Sequence, residues 1–231
     1  MYRIVLFDID ATLIKCGDAA RRAVRAAVEE SFGVDSESCW SDVPKHGRTD
    51  PLIIKDLCEL LLCRRLTQTE LNGICNAYLE KLEKLIDDTN GYKVLPGAAA
   101  LLNKLAKNDS ILLGLQTGNL EKGAFLKLKP SGFGVYFSFG GYGSDSTDRA
   151  EIVRTALRRG EQRVKKHKDL LRPVLIGDTI HDIDAGRVNS VFTIGVATGI
   201  YSAGELKKAG ADLVVDNLSD TDKITGLITQ L

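Results

Sequence analysis

The sequence lacks net charge, because 31 Lys and Arg residues balance 31 Asp and Glu residues among the 231 in total. A neutral chain has no overall electrostatic field to attract nucleic acid or anionic lipid, so any anion binding must be local. The basic run Arg163–Lys168 contains no aromatic residue that could stack on a base, and we interpret it as a solvated loop. No apolar run approaches the roughly 18 residues that a membrane-spanning helix needs. We therefore expect neither nucleic acid nor a membrane as a partner.

Signals for secretion and for a zinc-type metal site are also absent. The apolar stretch at the N-terminus ends at Asp8, which leaves it too short for a secretory signal. The five cysteines are odd in number and never spaced as C-x-x-C, and no pair of histidines has the spacing of metal ligands. Thiols without a pairing pattern are typical of a reducing compartment. We expect a cytoplasmic protein, monomeric or homodimeric.

What is present is an alternation of strands and helices. Short runs of branched apolar residues predict buried strands, and helical stretches lie between them. Strands that alternate with helices favour parallel pairing with helices on both faces. The predicted fold class is therefore α/β, a doubly wound and mostly parallel sheet. The predicted strands are Arg3–Phe7, Ile111–Leu115, Val174–Ile176, Val191–Val196 and Leu213–Val215, with a weaker sixth near Gly134–Phe139.

A long helical segment interrupts this alternation after the first strand. Between Lys15 and Asn90 the apolar residues follow helical spacing, and the stretch from Thr67 to Glu70 has the form of a capping box. An insertion at this point lies over the carboxyl edge of the sheet, where open α/β folds bind ligands. We predict a core of residues 1–14 and 91–231 and a helical cap of residues 15–90, placed to act as a lid.

Polar residues follow three of the predicted strands, and parallel strands end at one edge of a sheet. Four carboxylates should therefore converge there, and they cannot all stay ionised unless a cation neutralises them. Oxygen ligands without a nearby His or Cys cluster indicate a hard ion such as Mg²⁺, which accepts phosphate as a further ligand. The four carboxylates are Asp8, Asp10, Asp178 and Asp182.

A magnesium site beside a free carboxylate suggests phosphoryl transfer. Asp8 can attack phosphorus to form an aspartyl-phosphate, while Asp10 can protonate the leaving alkoxide and then deprotonate the attacking water. The transferred group also needs hydrogen-bond donors and a cation around it. The candidates are the hydroxyl of Thr117, the backbone N–H groups of Gly118 and Asn119, and the guanidinium of Arg149.

The order and spacing of these motifs resemble the haloacid dehalogenase superfamily of hydrolases, in particular its phosphoglycolate-phosphatase-like branch with a helical cap. The resemblance implies that Asp8 is the nucleophile and a Mg²⁺ ligand. It implies that Asp10 is the general acid/base and that its backbone carbonyl also binds the metal. It further implies that Thr117 binds the phosphoryl oxygens and that Arg149 neutralises their charge. An acid two residues after the nucleophile disfavours haloacid dehalogenation and favours a phosphatase.

The resemblance also implies that Asp178 completes the protein ligands and that Asp182 orients the cation or a metal-bound water. A plainer interpretation exists for some of these positions. Asp182 could simply cap the helix after its strand, and Thr117 could be an ordinary helix cap. The complete set of motifs makes the functional interpretation the better one.

Two positions depart from the pattern of the family. Ala11 stands where phosphatases of this branch usually have Gly, which is tolerated if φ is negative there. Arg149 stands where most members have Lys, and its planar fork changes the contacts available to a phosphoryl group. Lys129, which precedes a proline, is a rival cation. We prefer Arg149 because Lys129 lies too far upstream of Asp178.

The predicted cap carries a polar, basic loop before one of its helices. Asp50 as N-cap with Pro51 at the first helical position explains the end of this loop. Arg48 is a candidate contact for an anionic part of the substrate. His46 and His181 are better interpreted as surface or supporting groups than as metal ligands.

The function that we predict is hydrolysis of a small phosphorylated metabolite by a Mg²⁺-dependent phosphatase. A phosphomutase would use the same chemistry but return the phosphoryl group to a sugar. A catalytically silent binding module is the third possibility, although such a module does not need the full set of groups. Phosphoglycolate is a candidate substrate by resemblance only.

Overall fold

The structure is a computed structural model that describes residues 1–88, 90–164 and 171–231. Residues 165–168 of the basic run therefore lie outside the described residues. The strands are β1 (Arg3–Phe7), β2 (Ile14–Cys16), β3 (Tyr92–Val94), β4 (Ile111–Gln116), β5 (Gly140–Gly141), β6 (Val174–Gly177), β7 (Phe192–Val196) and β8 (Leu213–Val215). The helices are α1 (Ala19–Phe32), α2 (Glu37–Trp40), α3 (Asp50–Leu62), α4 (Gln68–Leu85), α5 (Ala98–Ala106), α6 (Glu121–Leu128), α7 (Arg149–Glu161), α8 (Ile180–Val188), α9 (Ala203–Lys208) and α10 (Thr221–Gln230).

The main sheet has the strand order β5-β4-β1-β6-β7-β8, and each neighbouring pair is parallel. Side chains alternate across β1: Val5 and Phe7 belong to a cluster with α5 and α10, whereas Ile4 and Leu6 belong to one with α7 and α8. Because helices cover both faces, every residue of β1 is buried. Four of the five are apolar, and the fifth, Arg3, donates a hydrogen bond to the carbonyl of Arg172. The predicted fold class, a doubly wound parallel sheet, is confirmed.

One predicted strand is wrong. The stretch near Gly134–Phe139 instead contains a 3₁₀ helix, Phe133–Tyr136, and β5 begins only at Gly140. Phe137 and Phe139 are buried, and the ring of Phe137 lies 6.0 Å from that of Phe7, whereas Val135 in the 3₁₀ helix is exposed. Burial alone makes a short apolar run look like a strand, because periodicity cannot separate the two in so few residues.

Helices α1 to α4 lie between β2 and β3 in the chain and share their own cluster of buried side chains. The cluster includes Ala27 of α1, Ile54 of α3 and Tyr78 of α4. β2 and β3 pair antiparallel, with Cys16 opposite Tyr92, so the helical segment leaves and rejoins the sheet domain at one place. The exact division into a core and a cap at residues 14 and 91 stays a prediction.

The predicted capping box at the start of α4 is confirmed. The backbone N–H of Glu70 donates to Thr67 Oγ1 at 3.2 Å, and the Thr67 N–H donates to Glu70 Oε2 at 2.8 Å. These two bonds satisfy backbone donors that the helix itself leaves free. No helix in the described part of the chain combines the length and apolarity that a bilayer crossing requires.

Candidate active site

The strands β1, β4 and β6 end at one edge of the sheet, and the polar segments that follow them meet there. The backbone N–H of Asp8 donates to Ile176 O at 2.9 Å, which carries the pairing of β1 with β6 into the site. Carboxylate oxygens of Asp8, Asp178 and Asp182 lie within 4.8 Å of one another. The structure therefore brings together three of the four predicted carboxylates. Asp10 lines the same cavity but is not part of this cluster.

Burial and mutual repulsion favour the protonated forms of two of these carboxyl groups. Burial, followed by the charge of Asp182, raises the pKa of Asp8 to about 7. Burial, followed by the charge of Asp8, raises the pKa of Asp178 to about 8. The hydroxyl of Thr12 donates to Asp178 Oδ1 at 3.2 Å and offsets little of this. A bound cation would remove the penalty, and an oxygen-only donor set suits a hard divalent ion.

Asp182 is in a different situation, because protein donors already satisfy it. Its Oδ1 accepts hydrogen bonds from Gln116 Nε2, at 2.7 Å, and from Arg149. Its Oδ2 accepts from the backbone N–H of Thr179 at 3.1 Å and from the Thr179 hydroxyl at 2.7 Å. Burial alone would raise the pKa of Asp182, but Arg149 and these hydrogen bonds outweigh it and hold the pKa below its usual value. Asp182 thus completes the capping box of α8, whose N-cap is Thr179, and also anchors Arg149.

Arg149 lies beside the predicted nucleophile. Its Nη2 is 3.7 Å from Asp8 Oδ1, and its side chain is 10% exposed. Its Nε is buried and finds no hydrogen-bond partner among the described residues. Lys129, the rival cation, is at the surface and pairs with Asp87 at 2.5 Å. Of these two cations, the structure brings only Arg149 to the carboxylate cluster.

Asp10 and Asn119 meet a residue that sequence reasoning missed, Lys127 of α6. Lys127 Nζ lies 2.9 Å from Asp10 Oδ2, and the side chain of Lys127 is 6% exposed. Asn119 Nδ2 also donates to Asp10 Oδ2, at 2.8 Å. The sequence contained a signal for this contact. Lys127 lies three residues after Ala124 and next to Leu128, so helical spacing places this lysine on the apolar face of α6.

The predicted phosphate-binding segment is also partly occupied by internal contacts. The backbone N–H of Asn119 points to Thr117 Oγ1, at 3.3 Å, and its side chain donates to the same hydroxyl at 2.7 Å. The carbonyl of Gly118 accepts from the backbone N–H of Asp50 at 2.8 Å. A Cβ atom at position 118 would lie 2.4 Å from the Arg48 carbonyl oxygen, so only glycine allows this approach.

The loop before α3 covers the carboxylates and encloses a cavity of about 190 Å³. Arg48 lines this cavity, as predicted for a substrate contact, and its guanidinium pairs with Asp56 of α3. His46 lines it as well, whereas His181 packs against Gly47 at the rim. The small volume of this cavity limits the size of the ligand that it can hold.

Asp50 is not the N-cap that the sequence suggested. Thr49 takes that position with extended backbone, Asp50 is the first residue of α3, and Pro51 is the second. The Asp50 carboxylate instead accepts the backbone N–H of Leu120 at 3.0 Å, a contact with the segment that follows β4. The Asp50 carboxylate thus joins the helical segment to the segment after β4, and the N-cap position belongs to Thr49.

The expectation for Ala11 is also corrected. Its φ is +57°, in the left-handed region that glycine prefers, and not negative. The tight turn holds it there: Ala11 N–H donates to Ile14 O at 2.7 Å, and the Thr198 hydroxyl donates to the Ala11 carbonyl. The strain of an alanine in this conformation is about 1–2 kcal/mol.

Comparison with known proteins gives a partial match to a family model and a relative of similar length. Residues 149–221 match the family model described as HAD-hydrolase-like. The chain is 21% identical to the pyrophosphatase PpaX of Oceanobacillus iheyensis over 224 residues, and this alignment covers 97% of each chain.

Solved structures share the whole fold. A β-phosphoglucomutase of Clostridium difficile superposes with a TM-score of 0.72 at 20% identity, covering 100% of this chain and 98% of the other. CbbY of Rhodobacter sphaeroides, determined in complex with phosphate, has a TM-score of 0.70 at 22% identity, covering 95% and 96%. At this identity the likeness establishes the architecture. With the family match over residues 149–221, the shared architecture and the ordered motifs, the chain is similar to hydrolases of the haloacid dehalogenase superfamily.

Proposed function

We propose that this protein is a hydrolase of the haloacid dehalogenase superfamily, a Mg²⁺-dependent phosphatase that cleaves a small phosphomonoester through an aspartyl-phosphate on Asp8. The surroundings of Asp8 carry the proposal. Its carboxylate has an oxygen within 4.8 Å of an Asp178 oxygen, and Asp8 Oδ1 is 3.7 Å from Arg149 Nη2. A cation held by these carboxylates, together with the guanidinium, would offset the charge of an approaching phosphoryl group, which otherwise repels a carboxylate nucleophile.

A divalent ion fits the donor set, because crowded carboxylates with raised pKa values gain most from a positive charge. Asp8 and Asp178 would hold the ion, with the backbone carbonyl of Asp10 as a further ligand. Asp182 is the fourth predicted ligand, but its four hydrogen bonds favour the role of orienting Arg149. When bound, the ion supplies positive charge to the phosphoryl oxygens.

The protein's own groups then divide the reaction into two displacements. In the first, an Asp8 oxygen forms a bond to phosphorus, the ester P–O bond breaks, and Asp10 gives its proton to the leaving alkoxide. In the second, Asp10 takes a proton from water, the water oxygen bonds to phosphorus, and Asp8 leaves as a carboxylate with release of phosphate. Thr117 and Arg149, whose Nε has no hydrogen-bond partner among the residues that the structure describes, bind the phosphoryl oxygens during both steps.

The enclosure favours a compact substrate. A cavity of about 190 Å³ holds a phosphoryl group with a small organic portion, and Arg48 offers charge to an anionic part of it. We propose that residues 15–90 act as the lid, since the Asp50 N–H and carboxylate both bond to the segment after β4. A cytoplasmic location and a monomeric or homodimeric state stay predictions.

The first test is phosphate release from p-nitrophenyl phosphate with and without Mg²⁺, followed by a panel of small phosphate esters. The panel includes phosphoglycolate, sugar phosphates and, because of the pyrophosphatase relative, pyrophosphate. We expect turnover that requires the ion, and we expect Asp8→Asn to abolish it while the far-ultraviolet circular dichroism spectrum stays unchanged. Asp109→Asn, at an exposed turn, is the matched control. Activity in Asp8→Asn equal to that of the wild type would overturn the nucleophile assignment.

A phosphomutase is the second candidate, because the fold is shared with a β-phosphoglucomutase. Both enzymes pass through the same aspartyl-phosphate, so the products decide between them. Release of inorganic phosphate from a sugar phosphate supports the phosphatase. Conversion to an isomeric sugar phosphate without phosphate release supports the mutase. Binding of the ester without either product would indicate a binding module.

A further inference from the structure

Lys127 is a charged residue in an apolar position. It is 5% exposed, and its neighbours on the same face of α6, Ala124 and Leu128, are fully buried. Removing an ammonium group from water is costly unless hydrogen bonds and an opposite charge compensate it. A leucine would pack on this face without that cost. The lysine therefore needs an explanation in what its ammonium group contacts.

The ammonium of Lys127 and the amide of Asn119 converge on one oxygen of Asp10. Lys127 Nζ donates to Asp10 Oδ2 at 2.9 Å and also to Asn119 Oδ1. Asn119 Nδ2 donates to the same Oδ2 at 2.8 Å, and its second contact is with Thr117 Oγ1 at 2.7 Å. No described residue donates a hydrogen bond to Asp10 Oδ1. Two fixed donors thus hold one carboxylate oxygen and leave the other for the cavity that Asp10 lines.

Asp10 requires such support, because little else restrains its side chain. Its side chain is 43% exposed, against 6% for that of Lys127. The next residue, Ala11, is in a strained left-handed conformation, so the backbone here is set by the turn and not by a strand. A general acid must lie within hydrogen-bond reach of the oxygen that it protonates, and a freely rotating carboxyl group spends little time there.

We propose that Lys127 is a positioning residue for the general acid/base: with Asn119 it fixes Asp10 Oδ2 so that Oδ1 meets the leaving-group oxygen. The inference rests on the proposed phosphatase function. It predicts that loss of Lys127 affects the reaction through proton donation, and not through binding of the phosphoryl group. The ammonium of Lys127 bonds to Asp10 and Asn119, whereas Arg149 pairs with Asp8 and Asp182, so a change at Lys127 should leave the phosphoryl-binding side of the site in place.

Leaving groups of different basicity separate these two effects. p-Nitrophenolate departs without a proton, whereas a simple alkoxide must be protonated as it leaves. The measured quantity is kcat/KM, because it covers the steps up to transfer to Asp8 and excludes hydrolysis of the aspartyl-phosphate. We expect Lys127→Met to lower kcat/KM for an alkyl phosphate at least tenfold and for p-nitrophenyl phosphate less than threefold. Lys127→Arg, which keeps the charge and the donors, should recover part of the loss.

A double variant tests whether Lys127 acts through Asp10. Asp10→Asn alone should lower kcat/KM for the alkyl phosphate, and adding Lys127→Met should lower it by no more than twofold further. Losses that multiply in the double variant, or equal losses of Lys127→Met on both esters, would overturn the proposal. If Lys127→Met does not fold, Lys127→Gln serves in the same comparison, since it removes the charge and keeps a shorter donor.

The failure of this inference can be told from the failure of the phosphatase proposal. If the wild-type protein hydrolyses neither ester, both proposals fall. If the wild type hydrolyses both esters and Asp8→Asn hydrolyses neither, the phosphatase proposal stands. In that case, undiminished turnover of the alkyl phosphate by Lys127→Met would overturn the positioning role alone.

Discussion

The guanidinium of Arg149 forms an ion pair with Asp182, a residue with no exposed surface, while its Nη2 remains 3.7 Å from Asp8 Oδ1. The buried carboxylate of Asp182 thus fixes the guanidinium of Arg149, and the carboxylate of Asp8 lies close to its positive charge. Asp182 is in turn fixed by Thr179 and Gln116, so the orientation of Arg149 is set by β4 and α8 together. The cation is therefore in place before any substrate enters.

The anchor itself can be tested by Asp182→Asn. This change leaves Arg149 without its partner in a buried site, and breaking such a pair costs about 3–5 kcal/mol. We expect the urea midpoint to fall and turnover to drop by at least tenfold, because Arg149 loses its orientation. Asp184→Asn, on the exposed side of the same helix, is the matched control and should change neither quantity. Equal stability of the two variants would contradict the anchoring role.

The choice of cation can be tested by comparing Arg149→Ala with Lys129→Ala. Removing the charge beside Asp8 should lower the rate at least tenfold, which corresponds to at least about 1.4 kcal/mol of transition-state stabilisation. Lys129 is at the surface, where its pair with Asp87 contributes little, and its loss should leave kcat/KM within twofold. A larger effect of Lys129→Ala than of Arg149→Ala would show that Lys129, and not Arg149, supplies the cation of the site.

The raised pKa values of Asp8, to about 7, and Asp178, to about 8, predict how metal-free protein responds to pH. Between the ordinary aspartate pKa of about 4 and these values, the folded state binds more protons than the unfolded state. The free energy of unfolding should therefore fall as pH rises across this window, with the full penalty present above it. Thermal melting in a chelator at about pH 5.5 and about pH 8.5 measures this effect.

Excess Mg²⁺ should raise the melting temperature more at the higher pH, since there both carboxylates are ionised and no proton has to be displaced. The double variant Asp8→Asn/Asp178→Asn is the control: it should show neither the Mg²⁺ shift nor this part of the pH dependence. A Mg²⁺ shift of the same size at both pH values would contradict the assignment of the site to these two residues.

The strain at Ala11 predicts a stabilising substitution. Ala11→Gly relieves a left-handed alanine, which costs about 1–2 kcal/mol, but adds about 0.4–1 kcal/mol of chain entropy to the unfolded state. We expect a net stabilisation of about 0.5 kcal/mol in chemical unfolding. Ala209→Gly, at a position with φ of −68°, should destabilise the protein instead. A loss of stability in Ala11→Gly would mean that the turn gains more from the methyl group than it loses to strain.

Some features follow from local sequence alone. The apolar runs of β1, β4 and β6 predicted a parallel sheet, and the ends of parallel strands had to share an edge, which is why Asp8 and Asp178 could be expected near one another. The capping box of α4 was likewise visible, because Thr67 and Glu70 are three residues apart in the chain. Each of these depends on contacts over a few residues or on the one topology that short right-handed crossovers allow.

The weak strand near Gly134–Phe139 failed for the opposite reason. Phe137 and Phe139 are buried, as their apolar character indicates, but Val135 is exposed, and the backbone conformation here depends on Phe7 and on the neighbouring helices. Asp50 shows the same limit: beside Pro51 it reads as a helix cap, yet its carboxylate bonds to Leu120, far away in the sequence. A short polar side chain bonds to the nearest unsatisfied donor, and only the packing of the helical segment on the sheet domain decides which donor that is.

The sequence by itself determined where each carboxylate follows its strand, and hence the edge of the sheet at which a cation and a phosphate could meet. Tertiary structure alone decided how the charges are shared there. Arg149 is divided between Asp182 and Asp8, and Lys127 reaches Asp10 from a helix face that looks apolar apart from this one residue. Pairing of buried charges depends on distances of a few ångströms between segments that are remote in the chain, and no local spacing in the sequence encodes those distances.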